Sequence, residues 1–245
     1  ILNRGGKCLI PVFSLGRAQE FLLILEDYWH SHKELWKYTI VFISSIANTC
    51  IPYFKKYTSF MNQDLRKNTR QPFNFKFIRF NNNSNDDSFS ERPCVVLASP
   101  GMLQEGRSRA IFEAWCEDKN NGVIIPGYCV EGTLAKQLLT DSSKPFLGTN
   151  GKTITPKCSV VEISFCAHSD YRFTHEFIGK VNPKHLVLIH GESKAMEHLK
   201  NAVRKLYPHL IIHTPEVAEH LQIHIQAKHN VKLLGNFVES IQESV

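Results

Sequence analysis

Two histidines carry the strongest chemical signal in this chain of 245 residues. His168 closes Phe165-Cys166-Ala167-His168 ahead of Ser169-Asp170-Tyr171, and His190 closes Leu186-Val187-Leu188-Ile189-His190 ahead of Gly191-Glu192. Each stands at the downstream end of an apolar, β-branched stretch and just before a helical pattern. In α/β folds the carboxyl ends of strands line the ligand crevice, so an imidazole placed there is aimed at the functional edge of a sheet. Imidazole serves as a metal ligand or as a proton donor near neutral pH. A lone strand-end histidine more often only caps or packs, but two such junctions in succession weigh toward chemistry.

The elements that must position these groups read as an alternation of strand and helix. A strand over Lys7 to Phe13 leads through the turn Ser14-Leu15-Gly16 into an amphipathic helix from Arg17 to His30. Phe21, Leu22, Leu25 and Tyr28 recur there at helical spacing, while Glu20, Glu26 and Asp27 face water. Ser14 reads as the N-cap, and Arg17 beside it stands at a helix start whose free N–H groups suit a phosphate. The alternative is that both residues only cap and solvate the helix. No Gly-x-Gly-x-x-Gly or P-loop pattern is present, so a dinucleotide or nucleoside triphosphate is not indicated.

A second strand, Tyr38 to Ser44, precedes a helix from Ala47 to Met61 with Pro52 in its early turns, where proline is tolerated. Lys55, Lys56, Arg66, Lys67 and Arg70 gather near Tyr53, Phe54 and Tyr57. Such a cluster either tracks an RNA backbone with rings available for stacking or forms a solvated helix face. Phe75 to Phe80 reads as a short strand. The Asn-, Ser- and Asp-rich stretch Asn81 to Glu91 reads as a mobile loop without chemistry. Strand Cys94 to Ala98 then ends on Ser99-Pro100-Gly101-Met102, which sets small residues and backbone N–H groups at the crevice. A helix over Arg107 to Asp118, a strand over Gly122 to Pro126 and a short helix over Thr133 to Leu139 follow. After a polar turn near Asp141 to Lys144 come a β-rich run from Cys158 to Phe165 and two β-α units ending on His168 and His190. Short strands at Leu210 to His213 and Leu221 to Gln226 close the chain. The alternation predicts a largely parallel, three-layer α/β architecture.

Bulk properties set the outer bounds. The length allows one large α/β domain, or one domain and a smaller piece, with a full core. A net charge of +6 suits an anionic partner such as nucleic acid, or a solvated surface. The seven cysteines form no Cys-x-x-Cys pair and no zinc-finger spacing, and read as buried thiols of a reducing compartment. No apolar run is long enough to cross a bilayer, so no membrane partner is expected. The opening Ile1-Leu2-Asn3-Arg4-Gly5-Gly6 reads as a helix end closed by glycine, and the chain is expected to be an excised piece of a longer protein.

Ala167-His168-Ser169-Asp170-Tyr171 followed by His190-Gly191-Glu192 resembles the last two histidine motifs of the β-CASP branch of the metallo-β-lactamase superfamily. Pro11-Val12-Phe13-Ser14-Leu15-Gly16-Arg17-Ala18-Gln19-Glu20, Ala98-Ser99-Pro100-Gly101-Met102 and the run from Asn121 to Lys136 are similar to the branch members that cut pre-mRNA 3′ ends. The likeness runs from Arg4 to about Gly235. It implies an inserted α/β cassette, here residues 1–162 as a β-CASP domain, and then residues 163–245 as the C-terminal return of a metallo-β-lactamase αββα domain. It further implies that His190 ligates one zinc of a two-metal site and that His168 lies beside the scissile phosphate as general acid. Two metals clamp a phosphodiester and generate hydroxide at neutral pH, while an imidazolium protonates the leaving oxygen. A histidine at 190 points to the RNA-processing members, because the DNA-repair members carry valine there. Asp170 either orients an imidazole or caps the following helix. Ser14, Arg17 and Ser99 are the candidate substrate contacts.

The resemblance therefore implies part of a zinc-dependent endoribonuclease that cleaves single-stranded pre-mRNA before polyadenylation. It would act in the nucleus beside other cleavage and polyadenylation subunits, one of them a homologous β-CASP chain, with base readout largely in those partners. An Integrator-type endonuclease is an alternative, although Gly127-Tyr128-Cys129-Val130-Glu131-Gly132-Thr133 leans toward the polyadenylation type. A non-catalytic scaffold paralogue is another, and retention of both histidines speaks against it. The family's His-x-His-x-Asp-His signature does not occur in residues 1–245 and is expected ahead of Ile1. With His190 as its one ligand, the chain alone is expected to hold no catalytic zinc and to cleave nothing.

Overall fold

The computed structural model describes residues 1–44, 46–67, 72–81, 88–165 and 169–225. His168, Cys166, Arg70, Gln226 and the segment 82–87 lie outside them, as does the side chain of Lys67. The chain divides into two compact units, Ile1–His168 and Ser169–Val245.

In the first unit the elements run β1 (Cys8–Pro11), α1 (Arg17–Ser31), β2 (Thr39–Ile43), α2 (Ala47–Lys56), α3 (Gln63–Lys67), β3 (Ile78–Asn81) and β4 (Cys94–Ala98). They continue with α4 (Gly106–Trp115), β5 (Gly122–Pro126), α5 (Leu134–Thr140), β6 (Phe146–Leu147), β7 (Thr153–Ile154) and β8 (Ser159–Ile163). Six strands form one sheet in the order β3-β2-β4-β1-β5-β8. Every pairing within it is parallel, with Cys8 to Pro11 of β1 opposite Val95 to Ala98 of β4.

An all-parallel sheet must be covered on both faces, which accounts for its unbroken apolar strands. Alternate residues sort to opposite sides. Leu9, Val41, Val96, Val123 and Ile125 pack on α4 and α5 through Ile111, Phe112, Trp115, Leu134 and Leu138. Cys8, Ile10, Ile40, Phe42, Val95 and Leu97 pack on Ala18, Phe21, Leu22 and Trp29 of α1 and on Ile51 of α2. The result is the expected three-layer α/β architecture.

Several local expectations are corrected. The inner face of α1 carries Trp29, while Tyr28 is exposed and stacks on His32 at 3.9 Å. Glu26 does not simply face water: its carboxylate accepts the backbone N–H groups of Lys76 and Phe77 at 2.6 and 3.1 Å, fastening the approach to β3 onto α1. The helix expected over Ala47 to Met61 breaks after Lys56 into a 3-10 turn, Thr58–Phe60. Ser88–Glu91, expected in a loop, is a 3-10 turn whose Phe89 packs against Trp115 and the core around it. The β6–β7 hairpin was not legible, since two-residue strands have no period to read.

That hairpin is clamped by one ion pair. Arg109 Nε meets Glu113 Oε1 at 2.5 Å, with the two side chains only 12% and 10% exposed. The same guanidinium donates to the Leu147 carbonyl at 2.7 Å and lies 4.9 Å over the Phe146 ring. Glu113 also accepts from the Thr149 N–H and hydroxyl. Burial alone would push its carboxyl up, but the hydrogen bonds from Arg109 and Thr149 outweigh it and hold the carboxyl below its ordinary value.

The second unit holds α6 (Tyr171–Val181), β9 (His185–Val187), α7 (Ser193–Leu206) and β10 (Ile211–His213). Its two strands are parallel and rest on Ile178, Leu188, Val203, Leu210 and Ile212. Asp170 caps α6, its carboxylate accepting the Phe173 N–H at 2.9 Å. The strand expected at Leu221 is not formed over residues 221–225.

Because the Glu113 carboxyl is lowered on folding, its contribution is fully present above the ordinary glutamate range and is lost as pH falls through the lowered value. We expect Glu113→Gln to cost on the order of 2 kcal/mol in urea unfolding at pH 7, as for hydrogen bonds to a charged group. Its stability should also fall less than that of the parent between neutral and acidic pH. Parallel pH profiles for the two proteins would contradict this role.

Candidate functional site

The sheet order fixes where a ligand crevice can lie. The crossover from β1 through α1 leads to β2 on one side, and the crossover from β4 through α4 leads to β5 on the other. Neighbouring strands β1 and β4 thus send their chains in opposite directions, the arrangement at which open α/β sheets form a ligand crevice at the carboxyl ends. Ser14 follows β1 and Ser99 follows β4, and their hydroxyls meet at 2.8 Å. Two of the sequence-predicted substrate contacts are therefore brought together at the switch point.

Each loop is held from the helix that follows it. On the β1 side, Gln19, 1% exposed, donates its amide to the Ser14 carbonyl at 2.9 Å. Gly16, at φ 87°, is the N-cap of α1, which corrects the expectation that Ser14 caps the helix. Only glycine turns so sharply at little cost, and the turn frees the Ser14 hydroxyl to face Ser99. On the β4 side, the buried Ser108 donates its hydroxyl to the Pro100 carbonyl at 2.6 Å, and its N–H to the Ser99 carbonyl at 3.1 Å. The Ser99–Pro100 bond is cis. Gln19 and Ser108 escaped sequence reasoning, because a polar residue on the inner face of a helix carries no local mark of what it will hold.

Arg17 opens α1. Its guanidinium stacks 4.2 Å over the Phe165 ring and pairs with Glu20. Phe165 in turn lies edge-on to Phe21 at 4.2 Å. The third predicted contact is thus at the same helix start, with its charge shared by Glu20. Two neutral hydroxyls and a guanidinium make a set of donors suited to an anion; they include no base that would activate a nucleophile.

Thiol chemistry is not available to the buried cysteines. Burial raises Cys8 and Cys116 to about 12 and Cys94 and Cys158 to about 11, and raises Cys129 as well. All five are neutral packing groups at physiological pH.

His190 is exposed and follows β9, with a positive φ of 62°. A non-glycine residue in the left-handed region costs backbone energy and persists where surrounding structure dictates it. Leu188 still bonds to the His213 carbonyl at 2.9 Å, so the turn begins after it. A Cβ at Gly191 would stand 2.9 Å from Met196 Cγ, so a larger residue there would have to displace that side chain. Among the described residues no group of three or more His, Cys, Asp or Glu side chains is arranged to hold a metal ion. His190 is one donor where a catalytic zinc needs three or more. His168 lies outside the described residues.

The hydroxyl contact across the crevice can be measured. We expect a double-mutant cycle of Ser14→Ala and Ser99→Ala in urea unfolding to give a coupling of about 0.5–1.5 kcal/mol, the net scale of one hydrogen bond. Strict additivity of the two losses would contradict the contact.

A family described as the Beta-Casp domain matches residues 18–138, and one described as the Zn-dependent metallo-hydrolase RNA specificity domain matches residues 153–233. The chain is 40% identical to cleavage and polyadenylation specificity factor subunit 3 of Dictyostelium discoideum, over 97% of its own length and 31% of that protein. It is 39% identical to cleavage and polyadenylation specificity factor 73 of Drosophila melanogaster, over 99% and 36%. Endoribonuclease YSH1 of Yarrowia lipolytica is 39% identical over 97% and 30%. The chain thus spans about a third of the length of the curated relatives it matches. With two matched domains in sequence order, a parallel α/β sheet beneath the first and likeness along almost its whole length, the chain belongs to the β-CASP family, in the branch of the cleavage and polyadenylation specificity factor 73 type.

Proposed function

We propose that the chain is part of a zinc-dependent endoribonuclease that cleaves pre-mRNA at its 3′ end before polyadenylation. The observation that supports this most is His190, an exposed imidazole set by a left-handed turn at a strand-to-helix junction, where the family resemblance places a metal ligand. In this reading residues 1–162 are the β-CASP domain and residues 163–245 return to the lactamase domain. The site would hold two zinc ions, and His190 would give one nitrogen donor to one of them. The other ligands come from the two-thirds of the relatives' length that the chain does not span. Zinc, when bound, supplies Lewis acidity and lowers the pKa of bound water toward neutrality. The chain alone then holds no catalytic zinc.

The remaining roles belong to side chains of this chain. His168, protonated, gives its proton to the oxygen that leaves the phosphorus. Ser14 and Ser99 donate to non-bridging phosphate oxygens of single-stranded RNA, and Arg17 exchanges part of its contact with Glu20 for the same anion. The N-terminus of α1 adds its own N–H groups. The protein works in the nucleus among other cleavage and polyadenylation subunits, including a homologous β-CASP chain.

The two histidines have separable signatures in the full-length protein. His190→Ala should lower zinc content and cleavage together. His168→Ala should keep zinc and slow cleavage by a factor on the order of 100 to 10,000. That slowing should shrink for a substrate with sulfur at the bridging leaving position, which needs no proton. Loss of metal in His168→Ala, or equal slowing on both substrates, would contradict the acid role.

A further inference from the structure

The outward face of α2 is not the polar surface that an amphipathic helix ordinarily shows to water. Its inner face is accounted for: Ile51 is buried, and Phe54 packs on Phe73 at 5.4 Å. The adjoining, outward face presents Tyr53 and Tyr57, followed by Phe60, at 59%, 48% and 84% exposure. Tyr53 and Tyr57 are one helical turn apart, and Phe60, in the 3-10 turn that follows, lies edge-on to Tyr57 at 6.0 Å. Scattered exposed rings need no explanation, but three neighbouring rings left exposed among the described residues are a candidate binding surface.

The charges around the rings favour one partner. Lys56 holds its ammonium 5.7 Å from the centre of the Tyr57 ring. Arg66 is exposed on α3, while Lys55 turns to the other side of α2 and bonds to Asn74 at 2.9 Å. Between Ile46 and Arg66 the one acidic residue is Asp64. Lysine is depleted from the core of protein–protein interfaces, whereas aromatic rings interleaved with cations fit single-stranded nucleic acid, whose bases stack while its phosphates pair. The crossover from β2 to its parallel neighbour β3 must return to the amino-terminal edge of the sheet. Tyr57 and Phe60 therefore lie about one helix length, roughly 15 Å, along α2 from the carboxyl edge that carries Ser14 and Ser99.

We propose that Tyr53, Tyr57 and Phe60, with Lys56 beside them and Arg66 exposed on the next helix, form a second contact for single-stranded RNA, separate from the crevice and without base specificity. The choice of ligand rests on the ribonuclease reading, but the surface holds RNA by stacking and charge and needs no metal. It would grip substrate at a distance from the cut.

The test is fluorescence anisotropy of a labelled 20-nucleotide oligouridylate with the chain, over a salt series and without zinc. We expect Tyr57→Ala/Phe60→Ala to weaken binding on the order of tenfold to a hundredfold, the scale of losing one stacked base. Lys56→Glu should weaken it and flatten the dependence on salt. The pair Tyr57→Phe/Phe60→Tyr keeps both rings and should bind as the parent does, which separates stacking from folding. Unchanged affinity in the double alanine variant, or no binding of the oligonucleotide by the parent chain, would overturn the proposal and leave the patch as a protein-docking face. Because zinc content and cleavage do not enter, failure here would leave the assignments of His168 and His190 standing, and their failure would leave this one.

Discussion

The pairing of β1 with β4 is the constraint on which the rest of the first unit depends. Cys8 to Pro11 and Val95 to Ala98 are the central rungs of a parallel sheet, with residues at or below 4% exposure among them. Parallel strands cannot be joined by a tight turn, so each must be followed by a crossover helix, and the two crossovers depart in opposite directions. Burial of those strands therefore delivers two loops to one edge. The hydroxyl contact between Ser14 and Ser99 is a consequence of that topology, and Gln19 and Ser108 keep the loops in place from behind.

Several polar side chains of the unit fasten its segments to one another. Arg109 and Glu113 pin the β6–β7 hairpin, Glu26 binds two backbone N–H groups ahead of β3, and Asn121 links the Lys7 N–H to the Trp115 carbonyl. The thiols that burial keeps neutral pack in the same layers. Polar and cationic chemistry left for a ligand lies at the surface, at the carboxyl edge of the sheet and on the outward face of α2. Both suit an anion, in keeping with the net charge of +6.

Much of this was legible in the sequence, for identifiable reasons. Unbroken apolar runs such as Cys94 to Ala98 read as strands because parallel burial removes the polar alternate. That Ser14, Arg17 and Ser99 stand at one edge of the sheet was visible because each follows a strand end and precedes or opens a helix. What failed was short-range or depended on distant partners. The Ser14 cap lost to Gly16, whose positive φ leaves no periodic mark in the sequence. Phe89 looked like part of a polar loop because its value lies in Trp115, far along the chain. Glu26 looked like a solvated charge because its partners belong to residues fifty positions away. The placement of His190 at a turn was read correctly, but its left-handed backbone was not foreseen, since Gly191 beside it was the natural residue for that conformation.

The central claim is that the β1–β4 switch point is where this fold meets RNA. Hydroxyl-radical footprinting of the chain, free and with saturating oligouridylate, tests it most directly. The account predicts protection of Phe13 to Arg17 together with Ser99 to Met102, two segments far apart in sequence and joined only by the sheet order. RNA bound at saturation with both loops reacting as in the free protein would contradict it.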